Sequence, residues 1–465
     1  MQKVHFIGIG GVGMSAVALL LKEALWDVTG SDAECYGPPR EVLDRAGILP
    51  KLGYDPANIP PDADCFVIGR NAKLAPSENA EVRAALASGE PVYSFPEMLG
   101  VLTEGRENLV VAGSYGKSTV TAIIAHILRH AGVDAGYFDG AEPVRTHWLP
   151  APAANGSAAP FILEGDEYPS AHDDSRAKFL HLRPHDLILT AVVHDHVNVY
   201  PTFADYQKPF RELLALVPKD GIVIACADEP GALALARESG KKIITYGIKN
   251  LADYSATAIR FGKRTRFSLV ARGTILGEIE TTLLGAHNVE NIVGAAAWAL
   301  ERRQVSFEQV RAAIADFKGI RRRLDAVTSQ SCLPVFEGFG SSYEKARSAI
   351  EAIRLHSPEK PLVVIFEPHT FGWRNRANLP WYDDVFSGAK RVFVAPPETQ
   401  GSATHDQLSH KEILARIGEI AEPYRDPAEV VRSLSGNEVV LILTSGSLGN
   451  PIPELIEGVT KRFPL

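Results

Sequence analysis

The sequence predicts an α/β protein built from parallel sheets that helices cover on both faces. Short apolar runs rich in β-branched residues alternate with helical patterns along most of the chain, and two of these runs lead directly into glycine-rich loops. The predicted strands are residues 4–9, 65–68, 109–112, 161–163, 187–193, 222–226, 362–366, 391–394 and 439–444.

Length and composition restrict the class of protein further. At about 150 residues per domain, 465 residues indicate roughly three domains. Hydrophobic residues make up 45% and charged residues 22% of the chain, which excludes whole-chain disorder. The net charge of −8 argues against a broad basic face for nucleic acid. No nucleic-acid partner is therefore expected.

The cysteines and the apolar runs indicate the compartment. Cys35, Cys65, Cys226 and Cys332 form no C-x-x-C pair, so neither a zinc site nor a disulfide framework is indicated. The apolar stretch 4–21 is interrupted by four glycines, and no other run approaches the ~20 apolar residues that span a bilayer. We expect a cytoplasmic protein without membrane insertion.

Two interruptions of the strand–helix alternation help to place domains. Residues 146–160, rich in Pro, Ala, Gly and Ser, are expected to form a surface loop. Residues 255–282 alternate like strands around an Arg272-Gly273 turn, which predicts a hairpin appended to a parallel sheet. New α/β units are predicted to begin near Glu107 and Gly319, so the expected domains are residues 1–107, 108–319 and 320–465.

The first glycine loop follows the first predicted strand and precedes a helix. Its pattern is G-x-G-x-x-G, in which glycines let a diphosphate approach the backbone and the helix N-terminus offers free N–H groups. Ser31 and Asp32 end the next strand, where an acidic residue can accept hydrogen bonds from a ribose or base. The pattern predicts a nucleotide diphosphate site, and the alternative is a tight turn without a ligand. Its glycines are Gly8, Gly10, Gly11 and Gly13.

The second glycine loop has the order of a phosphate cradle: strand, loop, then helix. It is a shortened form, G-x-x-G-K-[ST], because position 111 is valine. Backbone N–H groups would hold the β-phosphate, Lys117 would reach the β and γ oxygens, and the Ser118 hydroxyl would bind Mg²⁺. A plain Gly-Lys turn is the alternative. The loop residues are Gly113, Ser114, Tyr115, Gly116, Lys117, Ser118 and Thr119.

Carboxylates and histidines follow two later strands of the same predicted sheet. Because the carboxyl ends of parallel strands meet at one edge, these side chains should converge near the second loop. Oxygen ligands suit Mg²⁺, so Glu164 is the stronger metal ligand and His196 a weaker one for a second Mg²⁺. A Zn²⁺ site is disfavoured, because Asp195 lies between His194 and His196 on one strand end and is expected to direct the two histidines to opposite faces. Asp166 and Glu167, taken singly, are expected in a solvated loop.

These motifs together resemble the Mur ligase family of peptidoglycan synthesis, in order and spacing and over essentially the whole chain. The resemblance implies a UDP-sugar-binding Rossmann-like domain, a central P-loop ATPase domain and a Rossmann-like third domain that brings an amine. The motifs that carry it, beside the two glycine loops, are Thr29-Gly30-Ser31-Asp32, Glu164-Gly165-Asp166-Glu167, Asp195-His196, Gly285-Ala286-His287-Asn288 with Asn291, and Arg321-Arg322-Arg323-Leu324.

The resemblance implies a function and roles for residues. ATP would phosphorylate the lactyl carboxylate of UDP-N-acetylmuramate, and an amine would attack the acyl phosphate, by alignment and charge neutralisation. The UDP-sugar would lie on the glycines of the first loop with Ser31 and Asp32. The implied catalytic residues are Lys117, Glu164, His196 and Arg322, the implied Mg²⁺ ligands are Ser118, Glu164 and His196, and the implied ATP contacts beyond the second loop are His287, Asn288, Asn291 and Arg323.

Details within the family favour its murein peptide ligase branch, which adds a peptide, over the L-alanine-adding branch. Among them are Tyr36, the segment 53–56 and the segment 175–179. We therefore expect a peptide amine, with L-alanine as the alternative. For Asn288, capping of the helix that follows is an alternative role that is compatible with binding.

The sequence also departs from the family pattern. The acidic His-His-Pro element of relatives is replaced by residues 337–343, which contain no histidine. Tyr115 replaces a loop histidine, Ala191 replaces an asparagine, and Phe210 lies near the place of a carbamoylated lysine. A nucleotide-binding protein without ligase turnover is therefore a second hypothesis. Candidates for an acidic peptide, with a solvated loop as the alternative, are Glu367, His369, Arg374 and Arg376.

Overall fold

Three separate sheets with surrounding helices confirm the predicted α/β class. The computed structural model describes residues 1–197, 199–302, 305–397, 406–446, 448 and 452–465. Its described residues divide into two compact units. The first comprises residues 1–258, 267–279 and 290–318, and the second comprises 259–266, 280–289 and 319–465.

The first sheet is parallel and has the strand order β3-β2-β1-β4-β5. Right-handed crossovers through helices return the chain to the same edge, so the loops after β1, β2 and β4 lie together. Its strands are β1 (Lys3–Ile7), β2 (Asp27–Asp32), β3 (Lys51–Leu52), β4 (Cys65–Ile68) and β5 (Val92–Tyr93), and its helices are α1 (Val12–Glu23), α2 (Gly37–Arg45), α3 (Ala80–Ala87) and α4 (Phe95–Leu102).

The second sheet has the order β15-β14-β13-β12-β11-β10-β6-β9-β7-β8. Arg272 and Gly273 both have positive φ, 46° and 80°, as the predicted two-residue turn of a hairpin requires. Its strands are β6 (Glu107–Ala112), β7 (Gly136–Phe138), β8 (Ala153–Ala154), β9 (Pro160–Gly165), β10 (Asp186–Leu189), β11 (Ile222–Cys226), β12 (Lys242–Gly247), β13 (Tyr254–Arg260), β14 (Thr265–Ala271) and β15 (Thr274–Thr281). Its helices are α5 (Lys117–His130), α6 (Phe203–Leu216), α7 (Pro230–Glu238), α8 (Ala286–Glu301) and α9 (Phe307–Asp316).

The segment 146–160 is only partly the surface loop that its composition predicts. Ala153 and Leu149 are buried, and β8 pairs antiparallel with β7. Asn155 donates its side-chain N–H to the Leu20 carbonyl at 2.7 Å and its backbone N–H to Glu23 at 2.8 Å. The small residues of this segment allow it to lie close against α1. It therefore holds the first sheet's helix layer to the second sheet.

One apolar core joins these two sheets within the first unit. Buried side chains from the first sheet and its helices, such as Phe6 and Met98, belong to the same cluster as Phe161 and Phe179 of the second. Burying large apolar side chains contributes about 25 cal/mol per Å² removed from water. The loops that follow β1 and β6 are therefore carried on one packed body.

The third sheet has the order β16-β17-β21-β18-β19-β20, with β16 antiparallel and the rest parallel. Its strands are β16 (Arg323–Ala326), β17 (Val335–Gly338), β18 (Leu362–Phe366), β19 (Arg391–Val394), β20 (Ala421–Pro423) and β21 (Val439–Leu443), and its helices are α10 (Tyr343–His356), α11 (Phe371–Arg374), α12 (His410–Ile417), α13 (Pro427–Ser433) and α14 (Ile452–Arg462). Over the residues that the structure describes, no helix combines the length and the apolar character needed to cross a membrane.

Candidate functional site

The first glycine loop turns sharply at the end of β1. Gly8 has φ +87°, and a Cβ there would lie 2.6 Å from Leu74 Cδ1, so only glycine fits. The backbone N–H of Gly8 donates to the Ser31 carbonyl at 2.9 Å, and that of Gly10 donates to Asp32 Oδ2 at 2.7 Å. Gly11 then caps α1. The loop is thus tied to the end of β2 and leads into the helix N-terminus, as a diphosphate site requires.

A buried glutamate lies beneath this loop. Glu81 on α3 is 0% exposed and accepts from the Ser31 hydroxyl at 2.7 Å, and it pairs with His5 Nε2 at 2.8 Å. Burial alone would raise the pKa of Glu81, but hydrogen bonds from His5, Ser31 and Asn58 lower it. Ser31, predicted to contact a UDP-sugar, is itself fully buried with its hydroxyl directed at Glu81.

The second loop leaves β6 and enters α5 through two glycines that no other residue could replace. A Cβ on Gly113 would lie 2.2 Å from Thr190 Oγ1, and one on Gly116, at φ +84°, would lie 2.8 Å from Asn291 Oδ1. The Ser114 backbone N–H donates to the Ala191 carbonyl at 2.9 Å. The loop therefore lies across the end of β10, with Asn291 of α8 against it.

The lysine of this loop is paired with a buried carboxylate. Lys117 Nζ lies 2.9 Å from Glu167 Oε2 and also donates to the Gly113 carbonyl. Burial opposes charge on the ammonium, but the carboxylates of Glu167, Asp166 and Glu164 outweigh it and raise the pKa of Lys117. The lysine is therefore held in its charged form.

Glu167 connects three groups of the site. It is 1% exposed, and its Oε1 lies 3.2 Å from both His196 Nε2 and the Tyr206 hydroxyl, which donates to it. Burial favours the neutral acid, yet Lys117 and His196 hold the pKa of Glu167 well below its usual range. The expectation that Glu167 lies in a solvated loop is wrong, because Lys117 draws it into the interior. Asp166 is more exposed and pairs with Lys178 at 2.6 Å.

Ser118 and Glu164 supply oxygen ligands suited to Mg²⁺. The Ser118 hydroxyl donates to Glu164 Oε1 at 3.0 Å, and Glu164 Oε2 accepts from the Gly140 backbone N–H at 2.6 Å. Ser118 lies at the start of α5, which follows β6, and Glu164 lies at the end of β9. Since β6 and β9 are parallel neighbours, their ends bring the two residues together. A hydroxyl and a carboxylate beside a phosphate loop fit a hard divalent cation.

His196 lies farther along the loop than its predicted place on a strand end. The strand β10 ends at Leu189, so the expectation that the strand pleat separates His194 from His196 is wrong. His196 has φ +54°, and its ring packs 4.2 Å from that of Tyr168. The two histidines still diverge, because His194 Nε2 bonds to the Tyr200 carbonyl at 2.8 Å.

Among the described residues, one group of three His, Cys, Asp or Glu side chains has ligand atoms close enough to hold a metal ion together: Glu97, Asp174 and His181. Neither His196 nor Glu164 belongs to that group. Arg176 already pairs with Asp174 at 2.9 Å there. A role of His196 in a second metal site stays a prediction.

A cavity of about 250 Å³ connects the first loop with the metal-type residues. One wall belongs to the start of α1 and to α4, and the opposite wall belongs to the end of β9 and the segment that follows it. Its lining residues are Val12, Gly13, Phe95, Pro96, Leu99, Phe138, Gly140, Glu164, Asp166, Lys178 and Leu182. A ligand on the first loop could therefore extend along this cavity to Glu164.

Tyr115 and Thr119 complete the second loop. The Tyr115 hydroxyl donates to Glu229, and burial, followed by Glu229, raises the pKa of Tyr115 well above its ordinary value. Thr119 lies in the first turn of α5 and is half-buried. Tyr115, which replaces the loop histidine of the family pattern, thus faces the acidic start of α7.

The second unit carries the remaining predicted nucleotide residues. Burial, followed by His356, lowers the pKa of His287 to about 4. Asn288 is buried and donates its side-chain N–H to the Leu284 carbonyl at 2.8 Å. Because α8 begins at Ala286 and a capping side chain accepts rather than donates, this bond is not a cap, and the capping role of Asn288 stays a prediction. Arg322, at φ +61°, pairs with Glu337 at 3.0 Å, and Arg323 lies 4.7 Å from the Phe339 ring centre.

The segment that replaces the His-His-Pro element is packed rather than open. Gly340 accepts at its carbonyl from Trp373 Nε1 at 2.8 Å, and a Cβ on Gly340 would lie 3.0 Å from Leu443. The Ser341 carbonyl accepts from the Thr370 hydroxyl at 2.9 Å. An indole therefore occupies the neighbourhood of this segment.

The candidate peptide residues of the second unit separate into buried and exposed groups. Glu367 is 4% exposed and accepts from Thr444 and from the Leu448 backbone N–H, so a solvated loop is the wrong description of it. Arg374 is buried, while Arg376 is exposed and pairs with Asp406 at 2.6 Å and with Glu412. A role of these residues in binding an acidic peptide stays a prediction.

Comparison with known proteins decides the family. Residues 3–107 match the model described as "Mur ligase family, catalytic domain", and residues 111–299 match "Mur ligase middle domain". The UDP-N-acetylmuramate--L-alanine ligase of Chlorobium phaeobacteroides is 32% identical over 473 residues, covering 99% of this chain and 98% of the relative. This chain belongs to the Mur ligase family. The corresponding ligase of Aquifex aeolicus is 29% identical over 98% of both chains.

Solved structures share the three-domain architecture of this Mur ligase. The UDP-N-acetylmuramate-alanine ligase of Thermotoga maritima superposes with a TM-score of 0.79 at 22% identity, over 99% of this chain and 100% of the other. A murein peptide ligase of Psychrobacter arcticus gives 0.72 at 23% identity over 99% of both chains. At these identities the likeness establishes the fold alone. The predicted domain boundaries at 107 and 319 stay predictions.

Sequence reasoning missed the buried partners of this Mur ligase site. Glu81, Glu167 and Tyr206 lie far along the chain from the loops that they support, and no local motif marks Glu81 or Tyr206. Glu167 did carry a signal, since it closes the Glu164–Glu167 motif at a strand end. Because β9 is the neighbour of the strand that leads to Lys117, an ion pair between Glu167 and Lys117 could have been predicted.

Proposed function

We propose that this ATP-dependent Mur ligase joins the lactyl carboxylate of UDP-N-acetylmuramate to the amine of L-alanine. The cavity between the first loop and Glu164 carries the proposal, because it extends from the end of the diphosphate-type loop to Glu164, which accepts a hydrogen bond from Ser118 of the phosphate-transfer loop. A sugar nucleotide seated on the glycines would extend its acid group toward Lys117 and Glu164. Relatives that match nearly the whole chain bear the L-alanine ligase name, which supports the choice of amine.

The proposed chemistry has two steps. A carboxylate oxygen attacks the γ-phosphorus of ATP, the bond to the β,γ-bridging oxygen breaks, and ADP leaves. The amine nitrogen then attacks the acyl carbon, phosphate leaves with the acyl oxygen, and the nitrogen loses a proton to form the amide. Alignment of the reacting groups supplies most of the acceleration in such transfers.

The proposed roles follow from the contacts described above. Lys117, kept charged by Glu167, would neutralise the β and γ oxygens when ATP displaces that carboxylate from it. Ser118 and Glu164 would hold Mg²⁺, which neutralises phosphate charge when bound. Asn291, whose side chain lies against Gly116, would contact ATP, and Arg322 stays a predicted catalytic residue.

A peptide amine is the second candidate. Several sequence details favour it, among them Tyr36 and the segments 53–56 and 175–179, whereas the L-alanine ligases that match nearly the whole chain support the smaller amine. Residues 337–343 differ from the usual amine-side motif, so neither amine follows from that segment. We therefore test both amines in one assay.

The experiment measures phosphate release with ATP, Mg²⁺ and UDP-N-acetylmuramate, with L-alanine or L-alanyl-γ-D-glutamyl-diaminopimelate added separately. Release that requires L-alanine, with the amide product identified by mass spectrometry, supports the proposal. Release that requires the tripeptide establishes the second candidate. Absence of release with either amine, while ATP and the sugar nucleotide both bind, would establish the non-catalytic alternative.

A further inference from the structure

The cavity between the first loop and Glu164 has a single cationic side chain among its lining residues. Glu164 and Asp166 contribute carboxylates, most of the other residues are apolar, and Lys178 is the cation. An anionic group entering this cavity gains from a compensating charge, since desolvating a carboxylate without a partner is costly. Among the lining residues, Lys178 is therefore the side chain that can offer a positive charge to an acid.

The backbone and two rings hold Lys178 in position. Its backbone N–H donates to the Tyr168 carbonyl at 2.9 Å, and it begins a short 3₁₀ helix, Lys178–His181. The ammonium lies 5.3 Å from the ring centre of Phe95 and 5.8 Å from that of Tyr168, within cation–π range. The side chain is 19% exposed. The charge therefore has a defined location on the cavity wall.

Asp166 orients this ammonium and leaves donors for a ligand. Asp166 Oδ2 accepts from Lys178 Nζ at 2.6 Å, and a lysine ammonium carries three N–H donors. Asp166 is itself positioned by a hydrogen bond from the Tyr168 backbone N–H to Oδ1 at 3.0 Å. Asp166 therefore fixes the direction of the Lys178 ammonium, whose remaining N–H donors can bind a ligand.

We propose that Lys178 binds the carboxylate of the sugar-nucleotide substrate and so selects UDP-N-acetylmuramate over UDP-sugars that lack an acid group. The inference rests on the proposed function, because it assigns a contact to the substrate named there. A charge-assisted hydrogen bond of this kind corresponds to roughly a 10- to 100-fold preference in affinity.

The test is calorimetric titration of the full chain with UDP-N-acetylmuramate and with UDP-N-acetylglucosamine, which lacks the lactyl carboxylate. The wild type is expected to bind the muramate at least about 10-fold more tightly. Lys178→Met should bring the two affinities within about 3-fold by weakening the muramate alone, and Lys178→Arg should retain part of the preference. The matched control is Arg176→Gln, which removes an exposed cation of the same segment that pairs with Asp174 outside the cavity lining and should keep the full preference.

A second measurement needs no variant. Acylation of lysines in the wild-type protein, followed by peptide mass mapping, should show Lys178 protected by UDP-N-acetylmuramate and much less by UDP-N-acetylglucosamine. Equal protection, or a folded Lys178→Met protein with the wild-type preference, overturns the inference while the proposed function stands. A wild type that binds both sugar nucleotides equally also overturns it. A wild type that binds neither overturns the proposed function itself.

Discussion

Each glycine loop of this Mur ligase lies above one buried glutamate, and the two glutamates differ in what they hold. Glu81 under the first loop bonds to His5 and to the Ser31 hydroxyl. Glu167 near the second loop bonds to Lys117 and His196, the residues implied in phosphate transfer. Both side chains are at most 1% exposed. Burial alone therefore does not separate a structural carboxylate from a functional one, whereas the identity of its partners does.

The difference also concerns what must change when substrate binds. The partners of Glu81 are groups that hold strand ends and loops together, so its network can persist through a catalytic cycle. The partner of Glu167 is an ammonium that phosphate oxygens would also attract. We infer that the first network is a fixed support and the second exchanges partners with ATP.

The strongest way to break the comparison is to remove Lys117. Lys117→Ala is expected to lower ATP turnover by at least about 1,000-fold, because no other residue of that loop supplies a cation to the transferred phosphate. Binding of UDP-N-acetylmuramate should stay within a few-fold, since the first loop belongs to a different sheet. Steady-state phosphate release and calorimetry measure the two effects.

A circular dichroism melt of Lys117→Ala serves as its control. The variant removes the ammonium partner of Glu167 and leaves, among the described side chains, His196 and Tyr206 as its partners, so some loss of stability is expected. If a folded Lys117→Ala protein lost ATP turnover and sugar-nucleotide binding alike, the separation of the two loops would be wrong.

Paired substitution of the two glutamates sharpens the comparison. Glu167→Gln keeps the shape but removes the charge that orients Lys117 and His196, and we expect kcat to fall roughly 10- to 100-fold. Stability should fall as well, because the buried Lys117 ammonium loses its partner. Glu81→Gln should instead lower the free energy of unfolding by roughly 1–3 kcal/mol, because a carboxylate that accepts several hydrogen bonds is lost. Its kcat should change less than about 3-fold at saturating substrate.

The two variants are each other's matched controls. Both are measured by urea unfolding and by kcat and KM for ATP. Opposite results, with Glu81→Gln impairing turnover and Glu167→Gln impairing only stability, would reverse the assignment of support and function.

The smallest expected effect is on stability and concerns Glu290, which lies on α8 near the second loop. Burial, followed by Asp228 and Glu229, raises the pKa of Glu290 to about 8. A raised folded-state pKa means that folding favours the protonated acid, so its contribution to stability is complete below about pH 4.5 and is lost as the pH rises through about 8. Glu290→Gln cannot ionise and should therefore stabilise the protein at pH 8 by roughly 1–2 kcal/mol relative to wild type, and much less at pH 5.

Thermal melting at pH 5, 6.5 and 8 measures this difference. We expect the gap in Tm between variant and wild type to widen with pH to a few degrees. If the Tm of variant and wild type changed with pH in parallel, the pKa of Glu290 would not be raised. This difference between the surroundings of the two loops would then be wrong.

The sequence by itself determined the α/β class, the two glycine loops, the helix that follows each loop, and the hairpin turn at Arg272-Gly273. These features depend on local chemistry: strand and helix periodicity, and glycines that must adopt positive φ or let another backbone approach. The Ser118–Glu164 pair was also within reach, because both residues follow parallel neighbouring strands and such strand ends meet at one edge.

Only the tertiary structure decided which carboxylates are buried and what they hold. Ser31 and Glu81 are 50 residues apart in the chain, as are Lys117 and Glu167, and neither contact has a periodic signal. The pairing of β8 with β7 and the cavity around Lys178 likewise join segments that are distant in sequence. The physical reason is that the energy of a buried charge depends on the groups that packing brings to it, and packing is a property of the whole fold.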